Sequence, residues 1–224
     1  MKRFFSGLKN EPLQTLNAWQ DSRWPWGIIA CAMVVMVLIA HDVFQGWLHM
    51  LPCEQCVYIR FGNLVMALGC LVAMINPKAL VTKIAGYAVT LYGLVYTFGC
   101  ALTLMRIHRA MHSNDPDAIF GMQGCSLEPH YPFGLPLDKW APGWFAPTGD
   151  CGYDAPVVPD GAVLGELQRW LIEWYRSYEG WYLIPQWRFL NMAECCFLAC
   201  CVAAVMLAAM LVGWLGTLAK SRAR

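Results

Sequence analysis

An all-α integral membrane protein, a four-helix transmembrane bundle with a long exterior loop carrying an interfacial amphipathic helix, is the fold class this sequence predicts. Apolar residues make up 58% of the chain and charged residues only 14%, against roughly 25% charged in an ordinary globular protein. Four runs are long and apolar enough to cross a bilayer core of about 30 Å, which takes a helix of about 20 residues. The basic residues flanking those runs are shared unevenly between the two sides. A formal net charge of +1 offers no field to steer nucleic acid, so no nucleic-acid partner is expected.

Residues 1–25 form the first element, a polar cytoplasmic segment. Residues 1–23 carry Lys2, Arg3, Lys9 and Arg23 and lack the apolar stretch and small-residue cleavage site of a signal peptide, so the first span is expected to be an uncleaved anchor. The spans follow at residues 26–45, 57–75, 84–105 and 189–215, together a single domain over 26–215. The third run and the stretch from Cys195 to Ala219 contain no formally charged residue. His41 and Asp42 close the first run and Arg60 lies near the start of the second, which sets those ends at headgroup level. A soluble helical bundle would instead show polar faces at helical spacing. Trp24, Trp26, Trp47, Trp181 and Trp187 flank the spans, where amphipathic rings prefer the interface.

Sidedness follows from the short flanks. The amino-terminal segment, the turn holding Lys78 and Lys83, and the tail at 216–224 with Lys220, Arg222 and Arg224 hold nine of the 16 Lys and Arg residues. Gly46 to Pro52 holds none. Both termini are therefore expected in the cytoplasm, with exterior loops at 46–56 and 106–188. The long loop is rich in Pro, Gly and Trp, with few strand signals. From Ala162 to Tyr178, Leu164, Leu167, Leu171, Trp174, Tyr175 and Tyr178 recur three or four apart, interleaved with charges. This pattern predicts an amphipathic helix lying on the membrane surface or packed on the loop's own fold.

Eleven cysteines divide by position. Cys31, Cys70, Cys100, Cys195, Cys196, Cys200 and Cys201 lie in apolar spans, where a thiol is a small inert hydrophobe. Cys53, Cys56, Cys125 and Cys151 all fall on the exterior side, two in each loop, so two pairs can form in one oxidising space. Cys53-Glu-Gln-Cys56 is a C-x-x-C at the entry of the second span, where the positive end of a helix favours a thiolate, the species that attacks disulfides. The motif has no second C-x-x-C to complete a usual metal site, and Val57 stands where haem attachment would need His. Arg60, one turn deeper, is costly in lipid and should face a cavity or ligand, where it would stabilise the Cys56 thiolate or a reduced acceptor's charge. Cys125 and Cys151, 26 positions apart, suit either a structural bridge or an exposed, labile one used for exchange. His108 and His112 are expected as neutral interfacial residues or proton sources.

Pro52-Cys53-x-x-Cys56 with Tyr58 and Arg60, then Cys125, Leu135-Pro-Leu-Asp-Lys-Trp140, Gly149-Asp-Cys151 and Pro185-Gln-Trp187, resembles the DsbB family of bacterial inner-membrane disulfide oxidoreductases. The insertion after Cys151 and the Glu-Gln within the motif are closest to its DsbI branch. The amino-terminal extension of some 20 residues is not explained by the resemblance. What it implies is a catalytic set of Cys53, Cys56, Cys125 and Cys151, with redox disulfides Cys53–Cys56 and Cys125–Cys151. A periplasmic thioredoxin-like protein of the DsbA or DsbL kind would attack Cys125. The released Cys151 would attack Cys53, and Cys56 would pass electrons to ubiquinone or menaquinone held near Arg60, with no metal. Two other readings keep the same cysteines: an enzyme like vitamin K epoxide reductase with reversed electron flow, and a metal-binding membrane module.

Overall fold

The computed structural model describes residues 7–113, 117 and 124–222. Lys2, Arg3 and Arg224, used above for sidedness, lie outside the described residues. Four helical stretches are long and apolar enough to cross a membrane: Trp24–Trp47, Glu54–Ile75, Leu80–Met111 and Met192–Ser221. The chain is thus a mostly helical, multi-pass membrane protein. Large apolar side chains such as Leu71, Val95 and Val205 point outward and are more than half exposed, whereas the polar Asn63, Thr90 and Thr97 are buried. That is the inverse of a water-soluble surface and suits lipid.

Helix α1 (Pro12–Gln20) begins with proline at its first turn, where a missing N–H costs nothing. Helix α2 (Trp24–Leu38) runs on into a π-helical segment, Ile39–Trp47. Helix α3 is Glu54–Ile75 and helix α4 is Leu80–Met111. The long loop between α4 and the last span then folds as a 3-10 turn at Pro132–Gly134, two single-turn helices, α5 (Leu137–Trp140) and α6 (Pro142–Phe145), and the longer α7 (Glu166–Ser177). An antiparallel hairpin, β1 (Tyr182–Ile184) with β2 (Phe189–Asn191), pairs Tyr182 with Asn191 and Ile184 with Phe189. Helix α8 (Met192–Arg222) completes the chain.

Most span boundaries differ from the sequence expectation by a few residues, and three show why. α3 starts three residues early because Cys53 caps it, its sulfur accepting the Cys56 N–H at 3.2 Å. α4 reaches Met111, beyond the expected end at 105. The last span starts at Met192 rather than 189, because 189–191 form a strand that the loop's composition did not signal. The helix behind that strand opens with a capping box: Glu194 N–H donates to Asn191 Oδ1 at 2.8 Å, and Asn191 N–H donates to Glu194 Oε2 at 3.0 Å.

The chain divides into two compact units. The first comprises the described residues of Met1–Val34, Leu64–Leu94 and Ala199–Arg224. Here Gly69 and Gly86 let α3 and α4 touch: a Cβ on Gly86 would stand 2.6 Å from Ala73 Cβ, the small-residue contact that membrane helices use in place of a hydrophobic driving force. The amino-terminal extension packs the same way, because a Cβ on Gly213 would stand 2.6 Å from Leu16 Cβ. A polar network lies alongside. Lys83 Nζ pairs with Asp21 at 2.7 Å. The Gln20 amide nitrogen donates to the Tyr87 hydroxyl at 2.6 Å and to the Met210 carbonyl at 2.7 Å, and its oxygen accepts from Lys83 at 3.1 Å.

The second unit, Val35–Asn63 and Val95–Leu198, holds every candidate site residue. In α7, Ile172 is buried in a small core with Leu48 and Met50, with Leu171 and Tyr175 packed at its edge. Leu167 and Trp170 remain exposed. One flank of the amphipathic helix therefore packs on the loop's own fold while a second apolar flank stays open.

Candidate functional site

Pairing of the four loop cysteines is direct. Cys53 bonds Cys56, with Cα atoms 5.0 Å apart, and Cys125 bonds Cys151, with Cα atoms 5.8 Å apart. All four sulfurs belong to one packed cluster. Cys53 and Cys151 are buried at its centre with Leu104, Ile107 and Ala193, and Cys56 and Cys125 lie partly buried against them.

Backbone and side-chain bonds bring the two cysteine segments together. The N–H groups of Thr148 and Gly149 both donate to the Pro52 carbonyl, at 2.9 and 3.1 Å, tying the stretch before Cys151 to the residue before Cys53. A Cβ on Gly149 would stand 2.7 Å from the Leu51 carbonyl oxygen, so only glycine permits this approach. Gly152, directly after Cys151, adopts a positive φ of 86° against α4. On the other side Glu54, inside the C-x-x-C, accepts the Ser126 N–H at 2.8 Å and the Tyr58 hydroxyl at 2.9 Å. The Tyr58 oxygen in turn accepts the His130 N–H at 2.6 Å. The charged residue between the cysteines thus positions Cys125.

Arg60 is 4% exposed, so it does not snorkel to water. Its guanidinium donates to Gln45 Oε1 at 2.7 Å, to the Trp144 carbonyl at 3.1 Å and to the Ala40 carbonyl at 3.1 Å. The π-helical segment supplies Ala40 and Gln45, and its register aims these acceptors at Arg60.

A cavity of about 350 Å³ opens beside this arrangement, within the range of small-molecule sites. Its wall is mostly apolar, with Met36, Ile39 and Leu104 among the lining residues, and it includes Cys56, Arg60, Asn63 and Asp154 but not Cys53, Cys125 or Cys151. Of the four disulfide-bonded cysteines only Cys56 lines it. Arg60 Nε and Asn63 Oδ1 are buried without a hydrogen-bond partner. An apolar cavity lined by Arg60, whose Nε donor is orphaned, and by a disulfide-bonded cysteine fits a flat, apolar carbonyl-bearing molecule such as a quinone ring, whose oxygens would accept from Arg60.

Cys195 and Cys196, expected to be inert, also line the cavity, and Cys70 is buried elsewhere beside Thr90 at 3.6 Å. His108 is buried and stacks on His112 at 4.2 Å, its Nδ1 3.3 Å from the Asn191 amide, and it is not part of the cavity wall. Sequence reasoning missed Gln45, Asn63, Trp144 and Asp154, and nothing in their spacing marks them. Burial pushes the Asp154 carboxyl up to about 6, against an opposing pull from His112.

Comparison with known proteins agrees with this geometry. The family model described as disulfide bond formation protein DsbB matches residues 22–212. The protein-disulfide oxidoreductase DsbI of Escherichia coli O1:K1 is 49% identical over 214 residues, 96% of each chain. A putative protein-disulfide oxidoreductase DsbI of Campylobacter fetus is 52% identical over 212 residues, 95% of this chain and 96% of the other. The DsbI of Salmonella typhimurium is 46% identical over 222 residues, 99% of each.

Proposed function

The chain belongs to the DsbB family of disulfide bond formation proteins, and from that premise we propose that it is a protein-disulfide oxidoreductase that reoxidises a periplasmic thioredoxin-like dithiol protein and passes the electrons to membrane quinone. The observation that carries this reading is the division of one sulfur cluster between two surroundings. Cys125 is the more exposed member of its pair, and Cys56 alone of the four lines the apolar cavity.

A thiolate of a DsbA- or DsbL-like partner attacks Cys125 Sγ, which joins it in a mixed disulfide while Cys151 leaves as thiolate. The partner's second thiol, once deprotonated, displaces Cys125 and the partner departs oxidised. Cys151 attacks Cys53, its neighbour in the buried cluster, and Cys56 leaves as thiolate at the first turn of α3. There the helix N-terminus and Arg60 both favour negative charge. Cys125 then displaces Cys53 from Cys151, restoring the outer disulfide, and the electron pair rests on Cys53 and Cys56 as thiolates. Ubiquinone or menaquinone, bound in the cavity, supplies a two-electron acceptor soluble in lipid. Arg60, whose bare Nε–H can donate to a quinone oxygen, would hold it beside Cys56, and the Cys53–Cys56 bond re-forms as the pair departs.

This route needs 46–56 and 106–188 in the periplasm and both termini in the cytoplasm of a bacterial inner membrane, which the basic flanks support. The exposed Leu167 and Trp170 of α7 suit contact with lipid headgroups. In the disulfide-bonded state the four sulfurs offer no thiolate to a metal, which counts against the metal-binding module. Purified protein mixed with a reduced thioredoxin-like dithiol protein and short-chain ubiquinone should bleach the quinone absorbance and oxidise the dithiol one for one. Dithiol formation from a disulfide, at the cost of quinol, would favour the reversed electron flow of the vitamin K epoxide reductase-like reading.

A further inference from the structure

Resting on the quinone reading above, we propose that Asp154 is the residue through which protons enter the acceptor cavity. A para-quinone carries an oxygen at each end of its ring, and reduction to the quinol requires a proton on both. The cavity wall offers two ionisable side chains besides cysteine, Arg60 and Asp154. Arg60 is committed to Ala40, Gln45 and Trp144 and, as a guanidinium, stabilises charge without giving up a proton. Asp154 comes from the insertion after Cys151, and among the described residues no hydrogen bond or ion pair holds its carboxyl. A carboxylate left bare in an apolar wall is costly, so the carboxyl keeps its proton more readily than an exposed aspartate.

Its surroundings supply a path. Gly180 lies on one side, close enough that a Cβ there would stand 3.7 Å from Asp154 Cβ. Tyr182 on β1 feels the Asp154 charge, along with those of Arg188, Glu179 and Glu194. His112, at the end of α4, acts on Asp154 directly and is only half-buried, stacked on the buried His108. His112 is thus a partly exposed ionisable group near enough to act on the Asp154 charge. The accounting is closed: as the Cys53–Cys56 bond re-forms, two electrons leave the sulfurs for a quinone, and two protons enter one after the other from Asp154 Oδ. Asp154 is reprotonated each time past His112. The two protons taken up equal the two released outside when the partner's thiols become a disulfide.

The test uses the full chain in detergent, dithiothreitol as dithiol and a short-chain ubiquinone. Asp154→Asn should lower kcat for quinone reduction about 100-fold, leave KM within a factor of about two, and leave reduction of the Cys125–Cys151 bond by dithiothreitol unchanged. The unaltered protein should slow as pH rises past about 6, because the acid form is consumed; Asp154→Asn should lose that limb and Asp154→Glu should retain it. Independently of turnover, infrared spectra of the quinone-free protein should show a protonated-carboxyl stretch at pH 5 that fades by pH 7 and is missing in Asp154→Asn. An unchanged kcat with the limb intact in Asp154→Asn, or no such stretch in the unaltered protein, overturns the role of Asp154 while leaving the quinone reading in place. Absence of quinone reduction by the unaltered protein overturns both.

Discussion

Two polar clusters are buried in this chain, and they are finished to different degrees. In the first unit Gln20, Asp21, Lys83 and Tyr87 satisfy one another through an ion pair and two hydrogen bonds, and Gln20 also donates to the Met210 carbonyl. In the second, Arg60 is held by three acceptors yet leaves Nε bare, Asn63 leaves Oδ1 bare, and both line a cavity with Asp154 and the disulfide-bonded Cys56. Buried polar groups are normally paired because an orphan costs about 1–3 kcal/mol. A closed network in lipid is therefore a device for holding helices. An open one at a cavity wall is a site built to be completed by something else.

Removing the sulfur that joins the open cluster to the relay should have the largest effect. Cys56→Ser should lower quinone reduction by at least about 1,000-fold while the Cys125–Cys151 pair still reacts with a dithiol; undiminished turnover would show that Cys56 is not the donor. Next, Arg60→Gln removes charge-assisted bonds worth about 1.5–3 kcal/mol each and should raise the KM for short-chain ubiquinone by roughly 10- to 100-fold, with thiol exchange intact. An unchanged KM would detach Arg60 from the acceptor. The closed cluster should respond in stability rather than rate. Lys83→Met strands Asp21 beside Gln20 and should lower Tm by roughly 3–10 °C with turnover at 25 °C within a factor of about two, and a selective loss of turnover would blur the distinction drawn above. Cys70→Ala, in the apolar interior of the first unit, should change quinone turnover by less than about twofold.

How much of this was legible in the sequence depended on the length of the signal. The four spans are runs of about 20 residues, long enough for composition alone to reveal them, and the ordered set Cys53, Cys56, Arg60, Cys125 and Cys151 was visible because its members are chemically rare in such surroundings. Helix ends were less legible. The cap on α3 is a cysteine sulfur rather than a usual capping residue, and the hairpin at 182–191 is three residues a side with no alternation to read. Asn191 and Glu194, three apart before an apolar run, did carry a start signal for α8. Gln45, Asn63 and Asp154 were illegible for a different reason. Asn63 and Asp154 line the cavity while Gln45 holds Arg60 there, from three separate stretches, one of them a π-helical segment whose register no periodicity announces. Glu54 stood in plain sight inside the motif, but its use as an anchor for Ser126 depends on how the long loop returns.

The central claim is that the four sulfurs divide their labour, with Cys125 meeting the partner and Cys56 meeting the acceptor. Cys151→Ala leaves Cys125 unpaired; oxidising it with 5,5′-dithiobis(2-nitrobenzoic acid), adding a reduced thioredoxin-like dithiol protein whose second cysteine is replaced by serine, and mapping the trapped mixed disulfide by mass spectrometry tests it most directly. The account predicts a link through Cys125 with the Cys53–Cys56 bond intact. A link through Cys53 or Cys56, with Cys125 unreacted, would contradict it.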